Sequence, residues 1–311
     1  MKKTKYNKEI LFSIIFIFLP LSLLFGFAVY NHIQIRLEKN NMAITTEKKE
    51  TSNLPNIEIL GKSAIVKMLN SGEILYKKNA TKPLPLASLT KLMTTLIAQI
   101  NLKKDSVAIS LDDLNTEGDS LLFLGELFHK KDLIRLALIS SSNDSAAALA
   151  ANTFSSFGQS NKNIFISEMN KMAKRIGMKD SYFYNETGLD IDEHTAGAHG
   201  SAEDVATLME YILVNNPEII EDTTIFSKDI NSISGLIHTA TNTNHILGTL
   251  PNILASKTGL TDIAGGNLAV VIDPSLNNPV VIVVLGSTAE GRFKDVELLT
   301  KEVVKFFQDR E

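Results

Sequence analysis

The sequence predicts a mixed α/β domain in which an antiparallel sheet, built from both ends of the globular region, backs against an inserted helical lobe. Strand-like apolar runs lie near residues 57–77 and again near 253–285. Helical periodicity fills the stretch between them, and no internal repeat divides the chain. Residues 57–311 therefore read as one globular unit.

Residues 57–60, 63–68 and 74–77 are expected as strands, with Ser71 and Gly72 turning between the last two. Pro83 and Pro85 end this extended structure. A helix follows over 88–100, because Leu89, Leu92, Met93, Leu96 and Ile97 share one face. Residues 133–138 form a second apolar helix, broken by Ser140, Ser141 and Ser142, and a further helix starts near Asp144 with closely spaced alanines. Amphipathic patterns over 164–176 and 202–214 add two more. Strand character returns at 253–255, 267–272 and 280–285, the last two separated by a turn containing Pro274 and Pro279. A closing helix over 296–307 places Leu299, Val303, Val304 and Phe307 on its apolar side.

Ahead of this unit, residues 1–9 carry four lysines against one acid, and residues 10–30 carry no charge. Some twenty apolar residues suffice to cross a ~30 Å hydrocarbon core. With no Ala-x-Ala cleavage site after it, the run favours an uncleaved anchor over a long signal peptide. The expected organisation is a cytoplasmic tail at 1–9, a transmembrane anchor at 10–31, a linker at 32–56 and an extracytoplasmic domain at 57–311. The absence of cysteine excludes disulfides and thiolate metal sites, and the net charge of −4 argues against nucleic acid as a partner.

Three strings carry the chemistry: Ser88-Leu89-Thr90-Lys91, Ser141-Ser142-Asn143 and Lys257-Thr258-Gly259. Ser88 and Lys91 are neighbours on one helical face. Lysine activates a serine hydroxyl only if its pKa falls well below ~10.4, which burial beside another cation such as Lys257 achieves. Ser141 is placed to pass a proton to a leaving amine, and Asn143 to bond a substrate backbone amide. Lys257 and Thr258 suit a terminal carboxylate, and Gly259 admits a close backbone. The set points to a serine acyl-transfer enzyme acting on peptides that end in a free carboxylate. His194 and His199 share a loop with Asp192 and Glu193, where a solvated loop is favoured over a zinc site. No cofactor and no metal are expected.

The segment from Pro85 to Thr94 resembles the nucleophile region of the D-alanyl-D-alanine carboxypeptidases, the low-molecular-mass penicillin-binding proteins. Ser141-Ser142-Asn143-Asp144 and Lys257-Thr258-Gly259-Leu260-Thr261-Asp262 are similar to that family's second and third motifs. So are Asn185-Glu186-Thr187-Gly188-Leu189-Asp190, Ser201-Ala202-Glu203-Asp204 and Asn242-Thr243-Asn244 to its connecting elements. The resemblance covers essentially all of 57–311. It implies a β-lactamase/transpeptidase-like fold and a serine D-Ala-D-Ala carboxypeptidase of the peptidoglycan stem peptide. Ser88 would be nucleophile, Lys91 base and Ser141 proton relay, with the N–H groups of Ser88 and Leu260 forming the oxyanion hole. It also implies β-lactams as covalent inhibitors. Glu203 stands where the family often has arginine, Leu260 where it has an aromatic residue or histidine, and Ser142 where it has glycine. The family's carboxyl-terminal β-rich domain and tail anchor are not expected here. Two alternatives share the motifs. A serine β-lactamase requires a Glu-x-x-x-Asn string, which does not occur between 143 and 257. A penicillin-binding scaffold or sensor with little turnover is the other.

Overall fold

The computed structural model describes residues 54–55, 57–114, 117–118, 122–155 and 161–310. The expected tail and anchor lie outside these residues, as does nearly all of the linker. Ser52–Glu311 forms one compact unit.

The chain opens with β1 (Ser63–Met68), β2 (Ile74–Lys78), β3 (Leu84–Pro85), a 3-10 turn at Ala87–Leu89 and α1 (Thr90–Asn101). Next come β4 (Ser106–Ala108), α2 (Leu111–Leu114), β5 (Leu127–His129), α3 (Lys130–Ile139), α4 (Asn143–Thr153) and α5 (Lys162–Ile176). Then follow β6 (Tyr182–Phe183), β7 (Ala198–Gly200), α6 (Ala202–Asn215), β8 (Ser227–Asn231) and β9 (Ile237–Thr241). The chain closes with β10 (Ile253–Thr261), β11 (Gly265–Ile272), β12 (Val280–Ser287) and α7 (Gly291–Gln308).

The main sheet has five strands in the order β10-β11-β12-β1-β2, all antiparallel. Strands from both ends of the domain thus meet at its centre, where β1 pairs with β12 from Ser63 opposite Leu285 to Met68 opposite Val280. Successive side chains point to opposite faces. Val280, Ile282 and Val284 therefore join Phe293, Val296, Leu299 and Val303 of α7 in one core. Val281, Val283 and Leu285 face the other way, into the core of the helical lobe with Leu92, Leu96 and Met209. Because both faces are covered, every residue of β12 is buried and the strand reads as an unbroken apolar run. Each such side chain contributes about 1.5–3 kcal/mol of burial. Helix ends follow local chemistry: α5 stops at Gly177 with φ of 89°, and α6 starts where Ser201 accepts the Asp204 N–H at 3.1 Å.

Three local expectations change. Residues 57–60 are not a strand, because side chains rather than a neighbouring strand satisfy their backbone. The Asp295 carboxylate accepts the N–H groups of Leu60 and Gly61, Tyr76 donates to Ile57 O, and Lys78 donates to Ile59 O. Leu84–Pro85 does not end extended structure but adds a short pairing to β7. The β8–β9 hairpin escaped the sequence reading, since only Ile230 of β8 is buried and the strand is otherwise polar.

Candidate active site

The segment before Ser88 is stapled to the sheet. Asn267, fully buried on β11, donates from Nδ2 to Pro85 O and Leu86 O at 3.0 Å each and accepts the Gly286 N–H at 2.8 Å. Leu86 N donates to Ala198 O, and Leu89 N closes the turn on Leu86 O. Between them Ala87 is held at φ of 48°, a left-handed conformation that costs a non-glycine residue roughly 1 kcal/mol or more. The tight turn sets Ser88 at the foot of α1 with its hydroxyl toward Lys91.

Lys91 Nζ lies 2.8 Å from Ser88 Oγ and 3.0 Å from Thr187 O, with the residue fully buried. Burial lowers its amine to about 7, against an opposing pull from the Glu186 carboxylate. The sequence reading expected burial beside a second cation to lower it; burial is the cause that acts on Lys91. The loop supplying Thr187 O is internally braced, with Asn185 Oδ1 accepting the Gly188 N–H at 2.7 Å. Gly188, at φ of 79°, leaves no room for a side chain, since a Cβ would fall 1.9 Å from Ala87 O.

The second motif occupies the break between α3 and α4. Ser141 has φ of 63°, and its Oγ accepts from Lys257 Nζ at 2.9 Å. The Ser88 and Ser141 hydroxyls thus each have their own amine. Ser142 turns its hydroxyl to cap α4, accepting the Ser145 N–H at 3.0 Å. Asn143 donates to Glu117 O, while its buried Oδ1 has no hydrogen-bond partner among the described residues.

The opposite wall is β10, an edge strand of the sheet. Lys257 is buried, donates also to Thr258 O, and has its amine pushed well down by burial and by the positive charges of Lys91 and Arg292. Thr258 Oγ1 is hydrogen-bonded to Thr243 Oγ1, and Asn244 Nδ2 donates to Ser256 Oγ at 2.8 Å. A Cβ at Gly259 would lie 3.2 Å from Ser88 N and 2.9 Å from Leu86 O, so glycine lets the strand approach the nucleophile. Arg292, mostly buried, donates from Nη1 to Gly259 O at 2.7 Å. Leu260 is half-exposed on the same strand. A cleft of about 680 Å³, lined in part by Ser141, Asn143, Phe123 and Thr241, opens beside the second motif.

Hydrogen bonds and close backbone approach bring Ser88, Lys91, Ser141, Lys257, Thr258 and Gly259 to one locus, with Asn143 and Leu260 on the adjoining walls. Glu203 is exposed on the first turn of α6 and takes part in none of the site hydrogen bonds described above; its N–H donates to Ala80 O. His199 lies on β7 opposite Tyr182, whereas the His194 N–H bonds Asp192. Sequence reasoning missed Asn267, Arg292 and Thr243 as supports. Asn267 left a signal as an amide in an otherwise apolar strand, and Thr243 lies within the Asn242-Thr243-Asn244 string.

A family profile described as D-alanyl-D-alanine carboxypeptidase, peptidase S11, matches residues 46–289. The D-alanyl-D-alanine endopeptidase of Pseudomonas aeruginosa is 33% identical over 238 residues, which cover 73% of this chain and 72% of that protein. The D-alanyl-D-alanine carboxypeptidase DacF of Bacillus subtilis is 30% identical over 208 residues, 64% of this chain but only 51% of DacF. Penicillin-binding protein D2 of Listeria monocytogenes, solved in an ampicillin-bound form, matches with a TM-score of 0.68 and 28% identity over 80% of this chain and 98% of that one. The fold is that of the transpeptidases, and the antiparallel sheet from both ends with its helical insertion is as expected from the sequence, the sheet having five strands. Fold, motif order and family profile agree: this chain belongs to the peptidase S11 family of serine D-alanyl-D-alanine peptidases, homologous to the penicillin-binding proteins.

Proposed function

We propose that this chain is a serine D-Ala-D-Ala carboxypeptidase that removes the terminal D-Ala from peptidoglycan stem peptides. One observation carries the assignment: a fully buried lysine, its amine lowered to about 7, stands 2.8 Å from a serine hydroxyl at a helix start. Ser88 Oγ gives its proton to Lys91 Nζ as it bonds to the penultimate D-Ala carbonyl carbon. The resulting oxyanion is bound by the N–H groups of Ser88 and Leu260. The C–N bond then breaks, and the departing D-Ala amine takes a proton through Ser141. Water cleaves the ester and restores Ser88. Thr258, with the charge on Lys257, receives the terminal carboxylate, and Asn143 Oδ1 accepts an N–H of the peptide. A β-lactam acylates the same serine.

A second reading is supported by the P. aeruginosa relative, an endopeptidase covered over most of its length. The same chemistry on a cross-linked peptide gives that activity. The uncharged run at 10–30 supports anchoring in the cell membrane with the domain on the extracytoplasmic side. The deciding experiment compares D-alanine release from a pentapeptide ending in D-Ala-D-Ala with cleavage of cross-linked muropeptide dimers. Release that vanishes in Ser88→Ala supports the carboxypeptidase; cleavage of dimers without release replaces it with the endopeptidase. Inertness toward both substrates sinks each reading.

A further inference from the structure

Beneath the base lies an acid that none of the three motifs includes. Glu186 is 7% exposed, and its carboxylate is ion-paired with Lys162 of α5 at 3.0 Å. Its backbone is clamped to α1 at two consecutive carbonyls. Thr94 Oγ1 donates to Glu186 O at 2.6 Å, and Lys91 Nζ donates to Thr187 O at 3.0 Å. The segment that positions the base amine thus also carries a buried negative charge, close enough to oppose the effect of burial on Lys91. Lys162, about one-third exposed, is the counter-charge.

Resting on the proposed role of Lys91 as base, we propose that the Glu186–Lys162 ion pair is a positioning device that sets how readily Lys91 takes the Ser88 proton. An unpaired Glu186 would hold Lys91 as ammonium, unable to accept that proton. A neutral residue in its place would leave burial unopposed. The pair presents an intermediate field. Other charges enter from two sides. Lys257 on β10 feels the charges of Lys91 and Arg292, and Asp113 on α2 feels Lys162. Substitution at Glu186 or Lys162 leaves Lys257 and Arg292 in place, so the effect of the pair can be isolated.

The test measures the second-order rate of Ser88 acylation by a fluorescent penicillin across pH 5–10, for the wild type, Glu186→Gln, Lys162→Met and the double variant. Removing the acid shifts the midpoint of the acid limb down, and removing its partner shifts it up, each by about 0.5–1 pH unit. The double variant follows Glu186→Gln, since Lys162 acts chiefly by neutralising the acid. An ion pair serving only stability would change rates by a factor independent of pH, and unmoved midpoints in both single variants overturn the proposal. If Glu186→Gln does not fold, Lys162→Met carries the test alone. The Lys91 Cε resonance of the Ser88→Ala protein, titrated by NMR, reads the same shifts without turnover. Shifted titrations in a protein that is inert toward penicillin and peptide would keep the electrostatic coupling and sink the catalytic reading. Unshifted titrations in an active enzyme would do the reverse.

Discussion

The helical wall of the site, with Ser88, Lys91 and Ser141, and the sheet wall, with Lys257, Thr258 and Gly259, each bury a lysine against a serine hydroxyl and a backbone carbonyl. Their charged surroundings differ. Lys91 has an acid nearby, Glu186, which limits the fall of its amine to about 7. The charges acting on Lys257 are those of Lys91 and Arg292, both positive. One amine therefore has its anionic neighbour built into the protein, whereas the other regains its charge most readily when an anion arrives. In the proposed reaction that anion is the substrate carboxylate. The contrast teaches that one residue type acquires two electrostatic settings, one suited to the proposed base and the other to the proposed anion receptor, through the sign of the neighbouring charges.

The largest expected effect breaks the helical wall. Lys91→Met should lower D-alanine release about 10²–10⁴-fold, the usual worth of a general base, while raising thermal stability. The stability sign follows from linkage. The Lys91 amine lies near 7 in the folded protein and near 10.5 in the unfolded chain, so protonation favours unfolding. Wild-type stability then falls as pH drops from about 10.5 to 7 and levels below. The melting advantage of Lys91→Met should be full below pH 7 and shrink toward pH 10; calorimetry across this range checks it. A variant equally destabilised at every pH would contradict the assignment.

Thr258→Val sharpens the sheet wall. It removes one hydroxyl from the Thr243–Thr258 pair without changing the shape of β10. The expected result is a KM raised about tenfold or more, worth ~1.5–3 kcal/mol for a hydrogen bond to a charged group, with a smaller change in kcat. A kcat loss at constant KM would move Thr258 to the chemical step. The smallest effect belongs to Ser142→Ala, which deletes the cap of α4 and should cost about 1 kcal/mol in urea melts. Its acylation rate should stay close to wild type, because the hydroxyl faces the helix end.

Much of this arrangement was legible in the chain. The apolar runs of β1, β11 and β12 and the helical faces of α1, α5 and α6 announced themselves, because the strands are buried on both faces and each helix buries a continuous stripe. The serine and lysine strings stood out through residue type and spacing. The hairpin β8–β9 did not, since a strand covered on one side by a few residues carries little hydrophobic signal. Residues 57–60 misled in the opposite sense: Ile57 and Ile59 pack on the core while Asp295, more than 230 positions away, takes the N–H groups of Leu60 and Gly61. Asn267 and Arg292 act on the nucleophile turn and on Gly259 from strands and helices late in the chain, and no local pattern links them to their targets.

By itself the sequence determined the fold class, the order of the main helical and sheet segments, and the residues proposed to carry acyl-transfer chemistry, because periodicity and side-chain type are local properties. The tertiary structure decided that Lys257 meets Ser141, that burial lowers Lys91, and that Glu186 opposes it. Those outcomes depend on desolvation and on charges brought together across long stretches of chain, and distance through space, unlike spacing along the sequence, exists only once the chain has folded.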